Sequence, residues 1–113
     1  EFDYADFGIS GIETAVSLII DQLVLPGVID WMKMAELMSL NPARILGVPG
    51  GTLEEGGPAD ITIIDPDCEH SILPHNFESK GKNSPFTGWR VTGAPYGTIV
   101  GGKAVMYDRR LMV

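Results

Sequence analysis

Residues 41–67 constrain the fold most, because they join a helix to a strand through a glycine-rich connection. Asn41 is a favourable N-cap residue, and Pro42 after it costs the first helical turn no hydrogen bond. Gly47 is a typical C-terminal stop. Beyond further glycines, residues 60–65 are rich in isoleucine and lead into an Asp-Pro-Asp turn, which is typical of a buried strand. The stretch therefore predicts a short helix, turns and a strand, in that order.

The residues before this stretch are helical in pattern. Ser10 and Glu13 form an S-x-x-E capping box, which predicts a helix over residues 11–23 with apolar side chains at helical spacing. Asp30 is the expected N-cap of a second helix over residues 31–40, whose leucine and methionine side chains form an apolar stripe. The first part of the chain is thus predicted to consist of three helices in tandem.

The residues after the glycine-rich connection are predicted to form short strands and turns. A Gly-Gly pair lies between two β-prone runs near the end of the chain and predicts a tight hairpin. The expected strands cover residues 60–65, 69–73 and 89–93, and the hairpin covers residues 97–107. The predicted fold class is α/β, with a helical part over residues 1–47 and a small β domain over residues 48–113.

Charge and composition exclude several classes of partner. The net charge of −7 argues against nucleic acid, because binding to phosphates rests largely on lysine and arginine. No apolar window is long enough to span a bilayer, and no basic segment followed by an apolar run suggests a signal peptide. Cys68 is the only cysteine, which excludes an internal disulfide and fits a reducing compartment. We therefore expect a cytoplasmic protein with no nucleic-acid and no membrane partner.

The chain offers no complete set of catalytic or metal-binding residues. His70 and His75 lie near Cys68 and Glu69, but their spacing matches no zinc motif. No serine or cysteine lies in a nucleophile elbow, and no glycine pair belongs to a P-loop. We predict no catalytic and no metal-binding residue here, and we interpret the two histidines as solvated or hydrogen-bonded.

One segment near the start of the chain suggests ligand binding. Phe7 and Gly8 precede the predicted first helix. The free amides and the positive end of the dipole at a helix start favour an anionic group, and a glycine lets a ligand approach the backbone closely. The alternative is an ordinary loop in which Phe7 packs as a hydrophobic staple.

Several segments resemble, in the same order, the bacterial class I dihydroorotases of the amidohydrolase superfamily. Residues 5–14, ADFGISGIET, resemble the family's APFG-I-x-G-x-E-T stretch. Residues 79–88, SKGKNSPFTG, are similar to its S-K-x-x-N-[TS]-P-F-x-G segment. Residues 41–67 resemble its NPARILG and G-T-L-x-E-G-x-x-A-D sequences, and residues 98–105 resemble its A-T-I-V-G-G hairpin. The first two segments are the more specific, and the resemblance covers almost the whole chain.

The resemblance implies that the chain is the C-terminal portion of a zinc-dependent dihydroorotase. Such enzymes reversibly hydrolyse the cyclic amide of dihydroorotate to carbamoyl aspartate in pyrimidine biosynthesis. Their metal ligands and catalytic base lie upstream on a (β/α)8 barrel, and none matches a residue here. The implied fold is the last helices of this metal-dependent hydrolase barrel followed by strands of a small β-sandwich domain. A homodimer and an association with aspartate transcarbamoylase are further expectations.

The resemblance carries over few site residues. The family binds its substrate through the backbone of a Phe-Gly pair, which implies that Phe7 and Gly8 bind dihydroorotate. Asp6 stands where the family usually has proline, which implies a less rigid loop. Two alternatives stay open. One is an allantoinase-like cyclic amidohydrolase, which would agree less with FGISGIET, and the other is a catalytically inactive dihydroorotase-like scaffold that accompanies aspartate transcarbamoylase.

Overall fold

The computed structural model describes residues 2–112, and the first part of this range is helical. A short 3-10 helix, Phe2–Tyr4, comes first. Helix α1 (Ala15–Ile19) then continues into a π-helical segment, Ile20–Val24. Helix α2 (Trp31–Ala35) continues through a second π-helical segment, Glu36–Leu40, into helix α3 (Asn41–Leu46). Asp30 caps α2 as predicted, because its Oδ1 accepts a hydrogen bond of 2.7 Å from the Lys33 amide. Gly47 ends α3 in the left-handed conformation, also as predicted.

The predicted N-cap at Asn41 is wrong, because the helix does not stop there. Asn41 has helical dihedrals, φ −66° and ψ −44°, and its backbone N–H bonds to the Glu36 carbonyl five residues back. The Asn41 side chain donates to Glu36 Oε1 at 3.4 Å. A proline lacks the N–H of a regular helical turn and crowds the carbonyl four residues before it. The wider π-helical turns directly before Pro42 accommodate both effects, so that one helix passes through.

The second part of the chain forms one antiparallel sheet of four strands in the order β1-β2-β3-β4. The strands are β1 (Ile61–Ser71), β2 (Arg90–Val100), β3 (Lys103–Tyr107) and β4 (Arg110–Leu111). The α/β class is thus confirmed, but the expected separate strands 60–65 and 69–73 are one strand. Asp65 pairs with Ala94 and Glu69 pairs with Thr92, so three residues of β1 bulge opposite one residue of β2. Pro66 lies in this bulge, where its missing N–H interrupts no ladder.

Two tight turns connect the last three strands. Gly101 and Gly102 both have positive φ, 56° and 78°, and close the hairpin between β2 and β3 where the Gly-Gly pair predicted it. The expected strand 89–93 is not separate from this hairpin, because it is the beginning of β2. Asp108 and Arg109 also have positive φ and reverse the chain into β4, a strand that the sequence did not predict.

The helices pack on the sheet through β2. Ile20 and Val24 form a buried cluster with Met34 of α2. At Gly93 of β2, an added Cβ would lie 2.9 Å from Ile20 Cβ and nearer still to Ile20 Cγ2, so the absence of a side chain permits this approach. Asp21 Oδ1 also accepts a hydrogen bond of 2.8 Å from the Thr92 amide. Packing and hydrogen bonding therefore fix the first helix against the beginning of β2.

Many large apolar side chains lie outside this core. Ile12, Ile45 and Leu53 are 92%, 83% and 81% exposed, respectively. Scattered exposed apolar residues are normal, but an extensive apolar surface commonly marks a region that another polypeptide covers. Within residues 2–112, no helix has both the length and the apolar character needed to cross a membrane.

Candidate functional site

Residues 6–8 form a tight, exposed turn that contains both predicted substrate-binding residues. The Gly8 amide donates to the Asp6 carbonyl at 3.0 Å, which closes the backbone around Phe7. Gly8 has φ +96°, a conformation that glycine adopts without steric cost. The Phe7 side chain is fully exposed, so the alternative of a packed hydrophobic staple is wrong. We call residues 6–8 the binding turn, after the substrate-binding prediction made for Phe7 and Gly8.

Two predictions for residues 5–13 are wrong: residues 5–8 do not directly precede a helix start, and Ser10 and Glu13 do not form a capping box. Helix α1 begins at Ala15, and a turn closed by the Thr14 amide and the Gly11 carbonyl separates it from the binding turn. The amides of the helix start therefore do not lie beside Gly8. The predicted capping box is also absent, because Ser10 and Glu13 form hydrogen bonds with a distant loop instead of with the first helical turn.

That distant loop, residues 78–85, contacts the binding turn through Asn83. The Asn83 Nδ2 atom donates to the Gly8 carbonyl at 2.7 Å, and its Oδ1 accepts from the Ser10 hydroxyl at 3.0 Å. The Asn83 carbonyl accepts a third hydrogen bond, of 2.9 Å, from the Ser10 amide. An added Cβ at Gly81 would lie 2.5 Å from Ser10 Oγ, so a side chain there would displace the Ser10 hydroxyl. We call residues 78–85 the anchored loop.

Glu13 holds the other end of the anchored loop. Its two carboxylate oxygens accept hydrogen bonds from successive amides, 2.9 Å from Glu78 and 2.8 Å from Ser79. Burial of the carboxyl group acts to raise the pKa of Glu13, but these hydrogen bonds and the charge of Lys82 outweigh it, and the pKa is lowered below its usual value. Glu13 is therefore a charged anchor at neutral pH.

An open depression of about 400 Å³ lies between the binding turn and the anchored loop. Its lining residues are Asp6, Gly8, Ile9, Asn83, Ser84 and Pro85. Backbone groups, an amide and a hydroxyl supply hydrogen-bonding partners, while Ile9 and Pro85 add apolar surface. Such a lining suits the recognition of a small polar ligand. It contains one carboxylate, Asp6, and no histidine or cysteine that could serve as a general base or a nucleophile.

The two segments that meet here are those with the most specific resemblance in the sequence. The sequence model of the amidohydrolase family matches residues 8–105, which include Gly8 and the whole anchored loop. The chain belongs to the amidohydrolase family.

Individual relatives of this amidohydrolase chain are dihydroorotases and hydantoinases. It is 53% identical over 109 residues to the dihydroorotase of Pelotomaculum thermopropionicum, a match that covers 96% of the chain and 26% of that protein. It is 50% identical over 109 residues to a dihydroorotase of Bacillus cereus, with the same coverage of 96% and 26%. The chain thus spans about a quarter of the length of the curated relatives it matches. These relatives confirm the resemblance to the dihydroorotases.

Among solved structures, the chain is similar to the L-hydantoinase (dihydropyrimidinase) of Arthrobacter aurescens. The two superpose with a TM-score of 0.93 at 33% identity, over 100% of this chain and 26% of the hydantoinase chain. The amidohydrolase chain thus resembles dihydroorotases in sequence and shares its fold with a hydantoinase.

The polar residues considered for a metal site do not converge. Arg109 donates to Cys68 Sγ, and Glu69 forms an exposed ion pair of 3.1 Å with Arg90. His70 Nδ1 is buried without a hydrogen-bond partner in the described part of the chain. Within residues 2–112, no three His, Cys, Asp or Glu residues are grouped so that they could hold a metal ion. The residues present do not fit a zinc site in this amidohydrolase chain.

Sequence reasoning singled out residues 5–14 and residues 79–88 but did not predict that they contact each other. Ser10, Glu13 and Asn83 connect the two segments across 65 to 75 positions of the chain. The only available signal was that both segments resemble the same family more specifically than the rest of the chain does. Periodicity and capping rules describe neighbours along the chain and therefore assigned Ser10 and Glu13 to the nearest helix.

Proposed function

We propose that this chain is the C-terminal part of a dihydroorotase, which reversibly hydrolyses the cyclic amide of dihydroorotate to carbamoyl aspartate. The contact between the binding turn and the anchored loop carries this proposal, because the two segments most like dihydroorotases form one depression. The dihydroorotase relatives support the same activity.

In this proposal Phe7 and Gly8 bind the substrate through their backbone. Gly8 presents no side chain, and an added Cβ there would have no atom within 4 Å, so the surface beside it is open to a ligand. All three residues of the binding turn are exposed. The chain contributes recognition, and the groups that activate water and transfer protons belong to the rest of the enzyme.

The proposed domain organisation follows the resemblance. Residues 1–47 would be the last helices of a (β/α)8 barrel, and residues 48–113 would be strands of a small β-sandwich domain. The exposed apolar side chains Ile45 and Leu53 support a larger protein that covers this surface. Because the present residues do not fit zinc, we assign the zinc of the proposed enzyme to residues outside these 113. A cytoplasmic homodimer and an association with aspartate transcarbamoylase remain part of the proposal.

The decisive assay compares dihydroorotate, allantoin and hydantoin as substrates of the full-length protein that carries this chain. We expect dihydroorotate to be hydrolysed best and the activity to be lost on removal of zinc and restored by its return. Preference for hydantoin would favour a hydantoinase, which the TM-score of 0.93 makes the second candidate. Preference for allantoin would favour an allantoinase-like enzyme, and inactivity towards all three would favour the scaffold.

A glycine variant tests the role of the binding turn within that assay. Gly8→Ala should raise the KM for dihydroorotate roughly tenfold, because a side chain disfavours positive φ by about 1–2 kcal/mol and the turn relaxes. Gly56→Ala is the matched control, since Gly56 also has positive φ, +80°, and open space around it. An equal effect of both variants on KM would contradict the proposed site.

A further inference from the structure

Asn83 is the residue through which the anchored loop holds the binding turn. Its side-chain amide donates to Gly8 and accepts from Ser10, and its main-chain carbonyl accepts from the Ser10 amide. The bond to Gly8 is the shortest of the three, at 2.7 Å. Both polar atoms of the Asn83 side chain are thus engaged by one short segment some 75 residues away.

The binding turn has little packing to fix its orientation. Residues 6–9 are all exposed, and the hydrogen bond from the Gly8 amide to the Asp6 carbonyl lies within the turn itself. Glycine also exchanges readily between conformations when nothing restrains it. The position of Gly8, which lines the depression, therefore depends on its hydrogen bond to Asn83.

Asn83 is itself held from two directions. Glu13 fixes the beginning of the anchored loop through the amides of Glu78 and Ser79. Gly81 permits the loop to approach Ser10, which orients the Asn83 amide by donating to its Oδ1. The Asn83 Nδ2 atom is consequently directed at the Gly8 carbonyl.

The hydrogen bond between Asn83 and Gly8 also changes the electrostatic potential at the depression. A carbonyl oxygen that faces a carboxylate disfavours it, because both groups carry negative charge and only accept hydrogen bonds. The Asn83 amide occupies the Gly8 oxygen and places a positive N–H dipole against it. The depression is thereby less repulsive to an anionic cyclic amide.

We propose that Asn83 is a positioning residue that orients the Phe7–Gly8 backbone for an anionic substrate. This inference rests on the proposed function, which supplies dihydroorotate as that substrate. Asn83 acts through Gly8 rather than on the reacting atoms. Its loss should therefore weaken binding of the substrate and of the transition state alike, which raises KM and leaves kcat nearly unchanged.

The test uses Asn83→Ala and Asn83→Asp in the full-length protein. Asn83→Ala should raise the KM for dihydroorotate about threefold to tenfold, the equivalent of the one side-chain hydrogen bond that reaches Gly8, while kcat changes less than about twofold. Asn83→Asp should raise KM further, because it replaces the donor with a negative oxygen beside the Gly8 carbonyl. Asn76→Ala is the control, since Asn76 is an exposed asparagine in the nearby 3-10 helix Pro74–Asn76.

Hydrogen exchange supplies a second readout that requires no substrate. Amides of residues 5–10 should exchange at least about threefold faster in Asn83→Ala than in the wild-type protein, and Asn76→Ala should not change them. Unchanged exchange in Asn83→Ala overturns the inference, whatever the activity. A fall in kcat at constant KM also overturns it, because that pattern indicates a loss of folded enzyme. If the wild-type protein does not hydrolyse dihydroorotate, the proposed function is refuted, and with it the role of Asn83 in binding that substrate. If the wild-type protein is active but both Asn83 variants have an unchanged KM, only the role of Asn83 is refuted.

Discussion

Gly93→Ala tests the closest approach between the helices and the sheet. Gly93 has φ +94° and faces Ile20, a fully buried side chain whose Cβ would lie 2.9 Å from the new methyl group. Real Cβ atoms do not approach carbon atoms so closely, because packed interiors have no free space to yield. The substitution therefore combines backbone strain with overpacking, and either the first helix or β2 must shift.

The expected magnitude follows from these two terms. A side chain at positive φ costs about 1–2 kcal/mol, and extra atoms in a packed core cost about 1–3 kcal/mol. We therefore expect Gly93→Ala to lower the free energy of opening β2 by about 2–5 kcal/mol. Gly88→Ala is the matched control, because Gly88 has φ +82° just before β2 but no atom within 4 Å of an added Cβ. It should cost only the backbone term, about 1–2 kcal/mol.

Native-state hydrogen exchange of the full-length protein measures this difference locally. Amides of β2 should exchange at least about fivefold faster in Gly93→Ala than in Gly88→Ala, since a factor of ten corresponds to about 1.4 kcal/mol. Ile20→Ala alone should cost about 2–5 kcal/mol. Combined with Gly93→Ala it should cost about 1–3 kcal/mol less than the sum, because it removes Ile20 Cγ2, which lies nearer than Ile20 Cβ to the new methyl group. Strict additivity, or equal effects of the two glycine variants, would refute the close approach.

Three further predictions follow from the site and the surface. Glu13 should stabilise the anchored loop fully above the ordinary glutamate pKa of 4.5, and this stabilisation should be lost as the pH falls through the lowered pKa of Glu13 in the folded protein. Proteolysis of the anchored loop should therefore increase only in that acidic range. In Glu13→Gln this dependence should be absent, and its persistence would exclude Glu13 as the cause. Asp6→Asn should lower the KM for dihydroorotate about twofold to fivefold at low ionic strength and have no effect at about 1 M salt; the same effect at both salt concentrations would exclude charge repulsion as the cause. The isolated 113-residue chain should show no cooperative thermal transition in dilute solution, because much apolar surface is exposed, and a sharp monomeric transition would disprove this expectation.

The features that sequence predicted correctly depend on neighbouring residues. Asp30 caps α2 through an amide three positions away, and Gly47 ends α3 because glycine accepts a left-handed conformation. The turn at Gly101 and Gly102 follows from the same conformational freedom. In each case the deciding interaction lies within a few residues along the chain, so that it does not depend on tertiary contacts.

The features that sequence missed depend on residues that only folding brings together. One strand replaces two in β1 because β2 supplies partners on both sides of the Pro66 bulge, and β4 exists because β3 offers a free edge. Asn41 is a favourable capping residue, but the π-helical turns before Pro42 let the helix continue through it.

The helical and β parts, their order, several of their ends and the family resemblance could be predicted from the sequence, because they depend on local conformation and on motifs that can be compared directly. The hydrogen-bond partners of the polar groups at the site could be known only from the folded chain. Ser10 and Glu13 have the chemistry of a capping box, but their oxygens and hydrogens are satisfied equally well by the anchored loop. A hydrogen-bonding group specifies the kind of partner and not its place in the chain, so the contact of Asn83 with Gly8 emerged only from the folded chain.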